Sequence, residues 1–421
     1  MKDPRVSEMA GSLIGSEILR IAAEVRALMA AGAEVCNLTV GDFDPAQFPI
    51  PRSLAAGIAE ALRAGETNYP PSDGMLALRQ SVVDLYRRRF GLEYPLESVL
   101  VTGGSRPGIY SAYRAVVDPG DTVVYPVPSW NNNHYVHLTG ARGRPVACDA
   151  STFFLPVRAE LEDAVRGARL LVLNSPLNPT GTAFEAGALA GICDLVLEEN
   201  ARRGPGERPL YLLYDQVYWM LTFGGAQHVN PVTLRPAMAE YTLFVDGASK
   251  AFASTGLRVG WTVAPADVSR RMASIVGHVG AWAPRAEQVA VARFLADDAL
   301  MAEYLAEMNA AVHGRLQTLY DGFQAMRARG LPVDAIAPAG AIYLSARLAL
   351  AGRRTPAGGT LQTDNDIRQY LLESAGAAIV PFQSFGFQED TGWFRLSVGA
   401  ASPEAIGTVL VRIEQAIAAL N

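Results

Sequence analysis

An α/β fold is what this sequence predicts: a large, mostly parallel sheet covered by helices on both faces, then a smaller α+β part. Three observations predict it. The apolar runs at 170–173, 210–214 and 241–245 lack polar alternation, as strands buried on both faces do. Helical patterns such as 187–200 separate them, so strands and helices alternate. Polar, turn-forming residues follow strand after strand, where ligands sit in open parallel sheets.

The elements follow in order. Residues 14–31 read as an amphipathic helix stopped by Gly32, and 34–40 as a short strand leading into Gly41-Asp-Phe-Asp-Pro45. Helices are expected at 51–64 and 76–90, on either side of the turn-rich stretch Asn68 to Gly74. Then come strand 98–101, helix 106–117 and strand 122–125, followed by the three apolar runs. A long helix over 298–329 ends at Gly330 and Pro332. Beyond it, 341–346, 366–375, 378–380, 393–398 and 403–420 mix strands and helices. The expected division is a large domain at 49–309 and a small one made of 1–48 and 310–421. The stretches 200–209 and 351–363 read as insertions, the second as a mobile segment.

Composition narrows the function classes. Half of the 421 residues are hydrophobic, enough for a large core, and the net charge is −6. Arg87-Arg88-Arg89 lies in a helical pattern and reads as a solvated face, so nucleic-acid binding has no support. Cys36, Cys148 and Cys193 lack metal-ligand spacing and read as reduced and buried, and the five histidines form no metal constellation. No apolar run approaches the ~18 residues of a membrane span, and no signal peptide is visible. A cytoplasmic protein is expected.

Lys250 stands out. It and Lys2 are the only lysines among 36 basic residues. An amine can lose its proton and form a Schiff base; a guanidinium cannot. A surface lysine would be the plain reading, but the other strand ends weigh against it. After 98–101 comes Thr102-Gly103-Gly104-Ser105 opening a helix, a place for a phosphate. After 122–125 comes Trp130, which is able to stack on a flat ligand. After 170–173 comes Asn174-Ser-Pro-Leu-Asn178-Pro-Thr-Gly181, with Asn178 a donor. Asp215 ends an apolar strand, where a carboxylate needs a cationic partner, and Tyr218 follows it. Arg258 offers a planar fork to a phosphate. One cofactor would use all of these, pyridoxal 5′-phosphate.

On these residues the chain resembles the fold type I pyridoxal-phosphate enzymes, and among them the class I aminotransferases of the prokaryotic aspartate aminotransferase branch. The motifs are Asn68-Tyr69, Asn178-Pro-Thr-Gly181, Asp215-x-x-Tyr218 and Ser249-Lys250 with Arg258 eight residues on. The resemblance implies a transaminase acting on an L-amino acid, aspartate or a related dicarboxylic one, with a 2-oxo acid such as 2-oxoglutarate as acceptor. It implies that Lys250 holds the cofactor aldehyde as an imine and moves the proton at Cα. Asp215 would pair with the ring nitrogen, Tyr218 and Asn178 with the ring oxygen, and Trp130 would stack on the ring. Gly103, Gly104, Ser105, Ser249 and Arg258 would hold the phosphate. Tyr69 would reach the phosphate of a neighbouring subunit, implying a homodimer with shared sites. Arg395 would clamp the substrate α-carboxylate beside Asn178 and Trp130, and Gly41 would meet the substrate through its backbone.

The chain also departs from that pattern. Gln216 follows Asp215 where many relatives carry Glu, and Leu177 replaces a residue that is often polar. Ser105 stands where aspartate-specific relatives often carry a lysine, leaving Arg106 or an arginine of the partner as the distal cation. Two other functions are compatible with parts of the sequence. A lyase, decarboxylase or oxidase would share Lys250 and Asp215. A ligand sensor would need a basic DNA-binding module ahead of Gly41, where only forty residues stand.

Overall fold

The strands run β1 (Cys36–Asn37), β2 (Val99–Thr102), β3 (Thr122–Val127), β4 (Arg142–Ala147), β5 (Leu170–Asn174), β6 (Tyr211–Asp215), β7 (Thr242–Gly247), β8 (Gly260–Val263), β9 (Val333–Ala335), β10 (Tyr343–Leu348), β11 (Ala377–Ala378), β12 (Val380–Pro381) and β13 (Trp393–Ser397) in a computed structural model that describes residues 5–15 and 17–421. Lys2 lies outside the described residues, as does residue 16 of the helix expected at 14–31.

Seven strands form the large sheet in the order β2-β8-β7-β6-β5-β3-β4. All its pairings are parallel except those of β8, which runs antiparallel to β2 and β7. Alternation along the strands divides the interior. Val172, Leu213 and Val245 face one core, whereas Leu171, Leu173, Leu212, Tyr214 and Phe244 face the other. That two-sided burial is why these runs carry no polar alternation. A four-stranded antiparallel sheet, β12-β13-β10-β9, follows in the C-terminal part. The N-terminal β1 pairs in parallel with β11.

The helix Asp298–Ala328, about 45 Å long at 1.5 Å per residue, links the two parts. Its Met301 packs in one core, and Met308, Val312, Leu316 and Leu319 pack in the other. Asp297 caps it by accepting from the N–H groups of Ala299 and Leu300. The expected domain boundary between 309 and 310 falls inside this helix.

Several expectations are corrected. The strand expected at 34–40 keeps only two paired residues, because β11, its one partner, is as short. The N-terminal helix begins at Glu17, and a short helix, Glu8–Ser12, precedes it. The edge strand β4, the antiparallel β8 and the helices Asn132–Thr139, Ala266–Val279 and Arg285–Ala296 went unread. β4 is largely exposed, so it lacks an apolar run. Cys36 is half-buried, not buried. The 200–209 stretch is tied down by Arg208 to Asp118 and Asp121, and by Arg203 to Glu199. Within 351–363, Arg354 exchanges two backbone hydrogen bonds with Asn421, at 2.9 and 3.0 Å.

The joint between the sheets is tight at Gly181. This residue has φ 74°, a region that favours glycine, and a Cβ there would collide with the Tyr343 carbonyl oxygen. Its own carbonyl accepts from Ala339 and Gly340, and the Thr180 carbonyl accepts from Ser345 Oγ. Gly181→Ala should therefore destabilise the protein by at least ~2 kcal/mol in urea unfolding, through strain and lost contacts together. A change below ~0.5 kcal/mol would show that the joint relaxes freely.

Candidate functional site

The carboxyl ends of β3, β5, β6 and β7 open into one cavity of about 700 Å³. Tyr343 and Arg395 from the C-terminal part, and Ile18, Leu19, Ala22 and Arg26 from the N-terminal helix Glu17–Ala30, close its other sides. Lys250 sits on the one-turn helix Ala248–Ala251 just after β7. Its Nζ donates to the Gly41 carbonyl at 2.6 Å and lies 5.8 Å from the Tyr218 ring centre. Burial pulls its pKa down to about 8; Asp42 opposes the shift, and the guanidinium groups of Arg106, Arg395 and Arg258 add to it.

Asp215 is the last residue of β6. Its Oδ1 accepts from the Val217 N–H at 3.2 Å, the one hydrogen bond to this carboxylate among the described residues. Burial pushes its pKa up to about 6, with the Val217 N–H and Lys250 pulling the other way. Across the ladder stands Asn174, whose Nδ2 donates to the Asp215 carbonyl at 2.8 Å. Asn174 Oδ1 accepts from the Asn178 N–H at 2.8 Å, so β6 holds the 174–181 loop in place.

Arg395, on β13, is 1% exposed. Its Nη1 donates to Asn178 Oδ1 at 3.1 Å, and its Nη2 to the Thr39 carbonyl. Its Nε has no partner, and the guanidinium lies 4.7 Å from the ring centres of both Tyr343 and Phe385. A buried guanidinium with unused N–H and no carboxylate beside it is a site for an anion. The Tyr343 hydroxyl also meets that of Tyr218 at 2.7 Å.

A second anion site lies across the cavity. Gly104, at φ 88°, turns the chain from β2 into the helix Ser105–Val116, whose first N–H groups lack intrahelical partners. Arg258 Nη2 donates to the Gly103 carbonyl at 3.0 Å and Nη1 to the Thr255 carbonyl at 2.6 Å. A Cβ on Gly104 would strike the Arg258 guanidinium, so only glycine leaves the cradle open. Trp130 is half-buried on the wall, with the Arg106 guanidinium 4.5 Å above its ring.

The cavity thus gathers Gly41, Ser105, Arg106, Trp130, Asn178, Asp215, Tyr218, Ser249, Lys250, Arg258 and Arg395. Gly103 and Gly104 stand behind Arg258. Tyr69 is not in this group: it is 81% exposed and packs edge-on against Trp282, ring centres 5.3 Å apart. None of residues 351–363 lines the cavity. Sequence reasoning missed Tyr343 and Tyr135, which sit within apolar patterns that read as core. It also missed Ile18, Leu19, Ala22 and Arg26, which the N-terminal helix brings to the rim from far away in the chain. Among the described residues, no helix is long and apolar enough to cross a membrane, and no cluster of acidic, His and Cys side chains suits a metal.

Comparison with known proteins agrees with the fold. The model of the family "Aminotransferase class I and II" matches residues 33–413. An aspartate aminotransferase of Rhizobium meliloti (strain 1021) is 31% identical over 92% of this chain and 90% of its own length. A probable aspartate/prephenate aminotransferase of Rhizobium leguminosarum bv. phaseoli is 30% identical over 95% of each chain. Among solved structures, the Rhizobium meliloti aspartate aminotransferase superposes with a TM-score of 0.90 at 30% identity, covering 99% of both chains. The Thermus thermophilus aspartate aminotransferase with maleate gives 0.86 at 27% identity, covering 98% of this chain and 99% of that one.

The depressed Lys250 has a consequence for the ligand-free protein. A lysine whose folded pKa lies below its ordinary value costs stability while the amine is charged in both states. That cost fades as pH rises from about 8 toward the unfolded value near 10.5. Lys250→Met should therefore raise Tm at pH 7, by up to ~3 kcal/mol of stability, with the gain shrinking between pH 8 and 10. A gain independent of pH in thermal unfolding scans would refute this origin.

Proposed function

The chain belongs to the class I and II aminotransferase family, and from that premise we propose that it moves the α-amino group of an L-amino acid to a 2-oxo acid such as 2-oxoglutarate, with pyridoxal 5′-phosphate as cofactor. A dicarboxylic donor such as aspartate is favoured. The observation that carries this reading is the Lys250 amine, at the foot of a cavity that has an anion cradle on one side and the buried Arg395 on the other.

The residues fit the cofactor. The Gly104–Arg258 cradle is open only because residue 104 has no Cβ. Asp215 has a single backbone donor and a raised pKa, so a cationic ring nitrogen would supply the partner it lacks and restore its charge. When bound, the cofactor supplies an aldehyde for the lysine and a ring that draws electrons from the substrate Cα. Gly103, Gly104, Ser105, Ser249 and Arg258 would hold its phosphate, Trp130 would cover the ring, and Tyr218 and Asn178 would hold the ring oxygen.

The chain's own groups then do the acid–base and binding work. Arg395 takes the substrate α-carboxylate with its paired N–H groups and, with Gly41, aims the Cα bond. With a pKa near 8, the Lys250 amine is in part unprotonated at neutral pH, so its Nζ takes the Cα proton and later returns it. The reaction runs in ping-pong order, each oxo acid leaving before the next substrate binds. Arg395 lies in the part formed by 1–48 and 310–421, so substrate draws that part onto 49–309 and excludes water. Tyr69, exposed and not part of its own cavity's lining, serves the cavity of a second copy, which makes the working form a homodimer. The amino and oxo acids are its small-molecule partners, in the cytoplasm.

The first test is a single half-reaction. Aspartate added to cofactor-loaded protein without any 2-oxo acid should release about one equivalent of its oxo acid per subunit and change the visible spectrum once. Continuous product formation, or loss of carbon dioxide, would replace transamination with another reaction at the same site. Arg395→Leu should cut kcat/KM roughly 100-fold or more for every amino acid, since it removes a buried charge contact. Arg106→Ala should weaken aspartate selectively, and equal losses for aspartate and an apolar amino acid would count against a dicarboxylic donor.

A further inference from the structure

Behind the large sheet, on the face turned away from the cavity, a second buried carboxylate stands close to Asp215. The ladder pairs Asp215 with Val245, and Asp246 is the next residue of β7. Neighbouring strands lie about 4.8 Å apart and side chains alternate, so Asp246 points into the core that holds Tyr86 and Phe244. It is 1% exposed. Three donors meet its carboxylate: Trp219 Nε1 at 2.8 Å, the Gly247 N–H at 2.7 Å and the Gln216 amide. No cation stands beside it among the described residues. Donors alone around a buried carboxyl favour its charged form, which burial opposes. Burial pushes its pKa up to about 8, with the charge of Asp215 adding to the rise and the three donors pulling the other way. The other groups around it are neutral. Gln216, fully buried, donates from Nε2 to the Tyr86 hydroxyl at 3.0 Å and accepts at Oε1 from His228 Nε2 at 3.2 Å. Burial holds the His228 pKa down at about 3 and keeps those of Tyr86 and its neighbour Tyr94 well above their ordinary value. Trp261, opposite Asp246 on β8, has no charge to lose, and Lys250, four residues on, turns to the cavity. Among the described residues of this cluster, Asp246 and Asp215 are thus the two whose charge changes near neutral pH.

We propose that Asp246 is a positioning residue for the reaction, a second carboxylate that, through Asp215, holds the cofactor ring nitrogen in its protonated form. The proposal rests on the cofactor reading above. Asp246 does not line the cavity, so it acts from behind Asp215 and touches no ligand. In the ligand-free chain the charge of Asp215 works against that of Asp246. A cation held by Asp215 relieves that repulsion, so Asp246 releases its proton to solvent and its field adds to that of Asp215. Buried strands lie between the two groups, and salt screens them less than it screens surface charges. Residue 216 suits this arrangement. Its amide donates to an ionised neighbour, whereas the Glu that many relatives carry there would set a third carboxylate in the same buried space.

The test is a pH titration of the cofactor-loaded protein, followed by the visible band of the bound cofactor. Asp246→Asn keeps the shape of the side chain and removes its charge. The pH midpoint of the band should then fall by roughly one pH unit, the effect of one partly screened charge at this range. With nitrogen-15 in the cofactor ring, the ring resonance should move toward that of the unprotonated form. An unmoved or raised midpoint overturns the proposal, even where Tm or cofactor occupancy falls, because a merely structural carboxyl would give those losses alone. Asp163→Asn is the control for net charge, since its side chain is 93% exposed. It should leave the midpoint in place, and a shift equal to that of Asp246→Asn overturns the proposal. Should Asp246→Asn fail to fold, Trp219→Phe removes one donor from the carboxylate and makes its charged form rarer. The midpoint should then fall by a smaller amount, and no fall overturns the proposal. The wild-type protein separates the two levels of the reading. No visible band on addition of pyridoxal 5′-phosphate would refute the cofactor reading itself. A normal band whose midpoint Asp246→Asn leaves unchanged would refute the role of Asp246 alone.

Discussion

Burial of one amine, with like charges beside it, is the constraint on which the rest of this structure depends. A chain of net charge −6 points Arg26, Arg106, Arg258 and Arg395 at the cavity that holds Lys250, with Asp42 and Asp215 as the facing carboxylates. Burial disfavours the charged amine, and the guanidinium groups of Arg106, Arg395 and Arg258, which keep their protons, add to that, so its pKa falls to about 8. A cavity of this sign needs anions to fill it. The Gly104 cradle and the unused N–H of Arg395 are where they fit.

Holding those charges in place requires a rigid frame. The parallel register sets Asn174 opposite Asp215, and that pair fixes the 174–181 loop through Asn178. The loop in turn reaches Arg395 across the joint at Gly181. A shift at any one of these points would move Arg395 relative to the lysine. Both cores meet in the helix Asp298–Ala328, which packs Met301 in one and Met308, Val312, Leu316 and Leu319 in the other.

What could be read in advance follows from how local each signal is. Apolar runs and the turns after them are local, so most strands and helices were found within a residue or two, as at Leu76–Phe90. β8 was missed because Gly260–Val263 is only four residues long and follows the Lys250 loop without a turn signal. Motif residues such as Lys250 and Asp215 were legible because their chemistry conflicts with their surroundings. Tyr343 and Tyr135 were not, because a tyrosine in an apolar pattern looks like core until its hydroxyl is placed.

The sequence by itself determined the class of fold, the lysine, the carboxylate that ends a buried strand, and the glycine turn before a helix. Each of these is set by residue type and by neighbours a few positions away. Only the tertiary structure decided that Arg395, from β13, meets Asn178, from the loop after β5. It alone brought Gly41 to the Lys250 amine and kept Tyr69 out of its own cavity. These are contacts between residues far apart in the chain, and the packing of the two cores and the register of the sheets select them, not any local pattern.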